Sequence, residues 1–260
     1  MSRYARMFER LNGDGAFGAF LMLGDPDPQT SLRAIEDAIA GGADMIEVGI
    51  PFSDPVADGE VIQAAAGRAL DSGVRVGDCL DLIAALRARH SEVPIGILTY
   101  ANIVVAREGF MRDAAKAGAD SLLIADVPAL EAEPFAEKMT RAGLEPVLIA
   151  AANTPEPALQ RVASLSKAYT YCVSRTGITG THKGGQFDRE LIERVKLAGG
   201  PPPVFGFGIS RPDHVRTALS AGARGVICGS AIVDLVSRRG DVRAFVQSMK
   251  AVTRNDSAAE

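Results

Sequence analysis

The chain has 260 residues, of which 47% are hydrophobic and 23% charged, and its formal charge is −4. This is a globular rather than a disordered composition, and the acid excess argues against a basic nucleic-acid surface. No apolar run approaches the roughly 18 residues that cross a bilayer. Arg3, Arg6, Glu9 and Arg10 break up the start, so no signal peptide is expected and the chain reads as cytoplasmic.

The first element is a short amphipathic helix carrying Tyr4, Met7, Phe8 and Leu11, suited to covering one end of a larger body. Eight apolar runs follow, at about 17–23, 44–50, 94–99, 120–125, 145–150, 168–174, 203–207 and 224–228. Several begin in the same way: AGGADMIEVGI (40–50), AGADSLLIADVP (117–128), AGLEPVLIA (142–150) and AGARGVICG (221–229) each pass from a helix-ending glycine into an aliphatic run. Glycine supplies the left-handed cap, and the Ile, Val and Leu that follow suit buried parallel strands. Helical spacing fills the intervals. Leu32, Ile35 and Ile39 share one helix face, as do Leu82, Ile83 and Leu86.

Strict alternation of strand and helix predicts a parallel sheet with right-handed crossovers, and eight such units favour closure into a (β/α)8 barrel over an open sheet. The expectation is an α/β chain, a single-domain TIM barrel over 1–260, with an extra N-terminal helix in 1–13 and a flexible polar tail at 254–260. GGPPP (199–203) reads as a turn into the seventh strand, not as a linker.

In a barrel of this kind the loops at the C-terminal strand ends build the site. On the run from Asp44 to Ile50, Ile46, Val48 and Ile50 share one face and Glu47 and Gly49 the other. The aliphatic face suits the surrounding helices, which turns Glu47 into the barrel mouth. Desolvation there raises a carboxyl's proton affinity toward that of a neutral-pH acid. A buried Glu held by an amide or an Arg is the plainer reading. Asp58, beside Gly59, is either a helix N-cap or a second acid whose different environment divides the acid and base roles.

VFGFGIS (204–210) places Gly206 and Gly208 after the seventh run, with Ser210 capping the next helix. VICGSAI (226–232) places Gly229 and Ser230 after the eighth, opening a helix. Main-chain amides at such turns and helix starts bind phosphate, and loops seven and eight are the usual place for it. SRTGITGTHKGG (174–185) reads as a mobile lid that excludes water. It has no Gly-Lys-Ser/Thr in P-loop spacing, and His182 and Lys183 are expected to be exposed, non-catalytic residues. Cys79, Cys172 and Cys228 lie far apart with no CxxC, and the three histidines are scattered. Neither a disulfide framework nor a zinc site is expected.

LGDPDP (23–28), IEVGIPFSDPVADG (46–59), ADVP (125–128), YTYCVSRTGITG (169–180), GFGIS (206–210) and GSAIV (229–233) together resemble the tryptophan synthase alpha chain family, over essentially the whole chain. The resemblance implies retro-aldol cleavage of indole-3-glycerol phosphate to indole and glyceraldehyde 3-phosphate. Glu47 matches the acid–base glutamate, and Asp58 the aspartate at the indole N–H. Phosphate would sit on Gly180, Phe207, Gly208, Gly229 and Ser230. The ring would lie among Phe20, Leu98, Tyr100, Ala125, Ile149, Tyr171 and Phe207, with Thr179 meeting Asp58 on closure.

The resemblance also implies a pyridoxal-phosphate-dependent beta chain as partner in an α2β2 heterotetramer, with no cofactor in this chain. Pro51–Asp58, Asn102 and Pro128 are expected at that contact. Met22, where the family usually has Thr, and Ala151-Ala152, where proline is common, depart from the pattern beside the ring pocket. A sugar-phosphate isomerase would share the glycine loops, but would want strand histidines or a lysine base. A subunit that only activates a partner would not need the acid pair. A standalone lyase releasing free indole would look the same as a partnered one.

Overall fold

The computed structural model describes residues 1–173 and 187–254. The described strands are β1 (Ala16–Met22), β2 (Met45–Gly49), β3 (Ile95–Thr99), β4 (Ser121–Ile124), β5 (Glu145–Pro146), β6 (Leu148–Ala151), β7 (Thr170–Val173), β8 (Pro203–Phe205) and β9 (Gly225–Cys228). They form one sheet in the order β5-β4-β3-β2-β1-β9-β8-β7-β6. Every pairing is parallel. Helices fill every interval between successive strands except β5–β6.

The eight predicted runs appear as nine strands because the fifth is divided. Pro146 has no N–H to extend a ladder, and the Leu148 N–H goes to Ser166 Oγ at 3.2 Å. The first half pairs with β4 through Ser121↔Glu145 and Leu122↔Pro146. The second half pairs with β7, starting at Leu148↔Thr170. Only Val147 separates the two halves, so this divided strand closes the barrel.

The two-residue period of the strands sorts the apolar side chains into two clusters. Phe17, Leu21, Ile46, Val48, Ile95 and Ile97 face outward with the helix residues Ile35, Ile83 and Leu86. Phe20, Met22, Met45, Leu123, Tyr169, Tyr171 and Ile227 face inward. The left-handed caps before the strands fall on Gly42 (φ 99°), Gly118 (φ 100°), Gly143 (φ 89°) and Gly222 (φ 104°), the last glycine of each helix-ending phrase in the repeat.

The helix Arg3–Leu11 closes the bottom, as its apolar stripe predicts. Tyr4 and Met7 join the inner cluster, and the Tyr4 hydroxyl lies 2.9 Å from Ser121 Oγ. A Cβ on Gly96 would stand 2.9 Å from the Tyr4 hydroxyl and 2.7 Å from Ser121 Oγ, so the missing side chain is what admits the plug. Carboxylates tie down this lower rim. Asp120 accepts from Arg3 at 2.8 Å, Arg87 at 2.6 Å and the Ile95 N–H at 2.8 Å. Asp44 accepts from Lys250 at 2.7 Å and the Phe17 N–H at 2.8 Å.

Candidate active site

The middle of β2 places Glu47 between Phe20 of β1 and Gly96 of β3. It is 3% exposed, turned inward as the alternation requires. Oε1 accepts a 2.9 Å hydrogen bond from the Tyr169 hydroxyl. Oε2 is buried and has no partner among the described residues. Burial pushes the carboxyl from its ordinary 4.5 up to about 7; the bond from Tyr169 opposes that rise and the charge of Asp58 adds to it. Glu47 is not the plainer case of a buried acid paired with an amide or Arg. A proton-exchanging group with its second oxygen unengaged can act on a ligand.

Asp58 lies in the segment from β2 to the helix Glu60–Asp71, whose N-cap is Gly59. Its side chain turns to Tyr100, whose hydroxyl donates to Oδ2 at 2.7 Å. The same hydroxyl accepts the Ala57 N–H at 3.2 Å, and the Phe52 ring packs 5.2 Å from the Tyr100 ring, centroid to centroid. Tyr100 thus holds both the backbone and the carboxylate of this segment. Asp58 is raised by burial, with the bond from Tyr100 opposing the rise. Of the two readings open from sequence, the helix cap is excluded, because the N-cap is Gly59.

Tyr171 links the acids to the apolar side chains expected to hold a ring. Its phenol is driven upward by burial and then by the charges of Glu47 and Asp58. Its ring centroid lies 5.9 Å from Phe207, edge-on, and 6.4 Å from Tyr169. A Cβ on Gly206 would stand 1.9 Å from Tyr171 Cζ, so the first glycine of this turn makes room for a ring. Phe20, Leu98, Ala125, Ile149 and Phe207 gather in the same inner cluster. Tyr100 stands at the mouth with Asp58 and is absent from that cluster.

The departures from the family pattern fall beside this pocket. Met22 packs with Phe20 in the inner cluster, and its Sδ would lie 3.1 Å from a Cβ on Gly49. Ala151 borders the cluster, and the Ala152 carbonyl accepts from Arg194 at 3.2 Å.

Of the glycine turns, Gly208 has φ 78°. Gly229 is the N-cap of the helix Ser230–Ser237, and a Cβ there would lie 3.5 Å from Phe20. Phe20 therefore joins this turn to Glu47, its register partner. One expectation is corrected. Ser210 does not cap the next helix: Arg211 is the N-cap and Pro212 the first residue of Pro212–Ser220, because proline's fixed φ suits a first helical position. The Ser210 N–H instead meets His214 Nδ1 at 3.3 Å.

Thr179, Gly180, His182 and Lys183, with the rest of 174–185, lie outside the described residues. Sequence reasoning missed Tyr169 as the partner of Glu47. Its signal was the tyrosine pair of YTYC, two residues apart and so on one strand face. No cluster of three or more His, Cys, Asp or Glu side chains that could hold a metal ion occurs among the described residues, and no described helix is long and apolar enough to cross a membrane.

A parallel barrel whose mouth holds two carboxyls in unequal environments has the parts that acid–base chemistry needs. The family model for the tryptophan synthase alpha chain matches residues 8–259. The alpha chain of Corynebacterium efficiens is 42% identical, with 98% of this chain and 99% of that one covered. That of Aeromonas hydrophila is 44% identical, covering 97% and 99%. A solved tryptophan synthase structure from Mycobacterium tuberculosis superposes with a TM-score of 0.89 at 30% identity, over 98% of this chain and 99% of that one. The chain belongs to the tryptophan synthase alpha chain family.

Proposed function

We propose that this chain is a carbon–carbon lyase that cleaves indole-3-glycerol phosphate to indole and glyceraldehyde 3-phosphate, in the cytoplasm, as a step of tryptophan biosynthesis. The carrying observation is Glu47: buried, its proton affinity raised to about pH 7, and with one carboxyl oxygen that has no partner among the described residues. Its protonated form delivers a proton to indole C3, which leaves the ring as an indolenine cation. Asp58 accepts from the ring N–H and stabilises that positive charge. Glu47, now ionised, takes the proton of the glycerol hydroxyl next to C3. The C3–carbon bond then breaks, its electron pair returns to the ring, and the released carbon becomes the aldehyde. Protons move and one bond cleaves heterolytically, so the scheme calls for no redox group and no cofactor in this chain.

Phe20, Leu98, Tyr100, Ala125, Ile149, Tyr171 and Phe207 hold the ring. Main-chain amides around Phe207, Gly208, Gly229 and Ser230 take the phosphate, a role supported by the left-handed turn at Gly208 and the helix start at Ser230. Thr179 and Gly180 complete the assignment.

The same reading includes a beta chain that carries pyridoxal phosphate and consumes indole within an α2β2 assembly. Three exposed aliphatics near the barrel mouth support it: Val56 at 74%, Val105 at 69% and Leu130 at 61% exposure. They fall within or beside Pro51–Asp58, Asn102 and Pro128 in sequence, and aliphatic side chains there would be covered by a partner seated on those segments. The test is indole formation from indole-3-glycerol phosphate by the purified chain, with and without a beta subunit. No indole under either condition overturns the reaction. Indole formed at a rate the beta subunit leaves unchanged, without co-elution, overturns the partner.

A further inference from the structure

A partly open cavity of about 210 Å³ lies between the barrel wall and the helix Glu133–Ala142, beside the mouth, and Pro128 of the expected beta-chain contact is part of its rim. Two local features open it. The ladder between β4 and the closing strand stops at Leu122↔Pro146, so Ile124 and Leu148, higher on these strands, are not paired with each other. Opposite this seam the covering segment presents the short side chains of Ala129, Ala132 and Ala136. The wall therefore draws on both sides of the sheet. Ile124, Met139 and Leu148 belong to the outer cluster, whereas Val147, Ala125 and Ile149 belong to or border the inner one.

Native interiors leave few voids larger than a water molecule. An apolar cavity of about 150 Å³ in another protein stays dry and takes up benzene or xenon, so the space here is ample for one ring. We propose that this seam is a second binding site, for a single neutral aromatic ring of about toluene's size. It is distinct from the barrel mouth and shares only Ala125 and Ile149 with the mouth's ring pocket. An occupant presses on those two side chains, so filling the seam alters ring binding in the mouth, and the coupling is reciprocal.

Crystals of the whole chain, one set under xenon pressure and one exposed to toluene, test the site. Density is expected between Met139 and Leu148. Ala136→Leu, a change outside the mouth, should abolish that density and weaken toluene binding in solution at least tenfold by ligand-observed NMR. Should Ala136→Leu fail to fold, Ala132→Val fills the same space, and the xenon result on the unaltered chain stands alone. Density confined to the mouth, or unchanged toluene affinity in a folded filling variant, overturns the proposal. None of these readouts involves turnover, so failure here and failure of the lyase reading are distinguishable.

Discussion

Tyr169, the residue just before β7, donates its hydroxyl to Glu47 Oε1 at 2.9 Å from the opposite side of the barrel, since β2 and β7 stand four strands apart by either route around the sheet. One carboxyl oxygen is thereby fixed by a neutral donor, and the other is buried with no partner among the described residues. A charged donor in place of Tyr169 would hold the carboxyl ionised. The phenol positions the acid while burial keeps its proton affinity high.

Glu47→Gln keeps the acceptor for Tyr169 and removes the proton exchange. Indole formation should fall by about 10²–10⁴-fold or more, with the fold retained; near-normal turnover would remove Glu47 from the mechanism.

The same variant carries a stability signature. Glu47 binds its proton more tightly folded than unfolded, up to about 7 against 4.5. The resulting stabilisation is full below about pH 4.5 and is lost as pH rises through about 7, by roughly 3 kcal/mol in all. Gln cannot ionise, so the variant should gain on the original chain across that window. Urea unfolding at pH 4.5 and pH 8 checks it, and an equal difference at the two pH values would contradict the burial argument.

Tyr169→Phe leaves the ring against Tyr4, at a centroid distance of 5.5 Å in the original chain, but deletes the bond that opposes the rise in Glu47. The carboxyl should then titrate higher by about one pH unit. The ionisation limb assigned to Glu47 in the pH profile of kcat/KM is the readout. A limb that stays in place or moves to lower pH would rule out Tyr169 as the tuning group.

Tyr100→Phe cuts both its bond to Asp58 Oδ2 and its bond to the Ala57 N–H. Cleavage should drop about tenfold or more through loss of orientation, and Asp58→Asn should cost at least about 10²-fold. Because Tyr100 acts here through Asp58, Tyr100→Phe should add little in the Asp58→Asn background. Full additivity in the double variant would mean that Tyr100 works independently.

The glycines of the two upper turns should separate by experiment. Gly206→Ala drives a Cβ into the Tyr171 ring and should cost about 1–3 kcal/mol. Gly229→Ala meets Phe20 at an ordinary 3.5 Å, so thermal stability should hold while KM for the phosphorylated substrate rises severalfold. An unchanged KM would take Gly229 out of the phosphate site.

Much of this architecture can be read from one dimension. Apolar runs after left-handed glycines locate the strands to within a few residues, because burial on both faces of a parallel strand demands uninterrupted hydrocarbon. Strand alternation turns Glu47 inward by the same local rule, and the resemblance names its role. Tyr169 could be placed on the inner face, yet not assigned to Glu47, since that bond joins residues 122 positions apart. It exists only once the ring of strands has closed. The split at Val147 follows from Ser166, contributed by the end of the next helix, capturing the Leu148 N–H. The same holds for Asp58: its neighbours leave cap and acid both open, and only the folded chain gives the cap to Gly59 and the Asp58 carboxylate to Tyr100.

By itself the sequence determined which segments are strands and helices, which face of each strand meets the core, and which side chains can carry protons. These depend on periodicity and residue chemistry within a few positions. Only the tertiary structure decided how those groups are tuned, since proton affinity is set by burial and by donors that arrive from distant strands. It also decided where the packing leaves space, because a cavity is a property of surfaces that meet, not of any one segment.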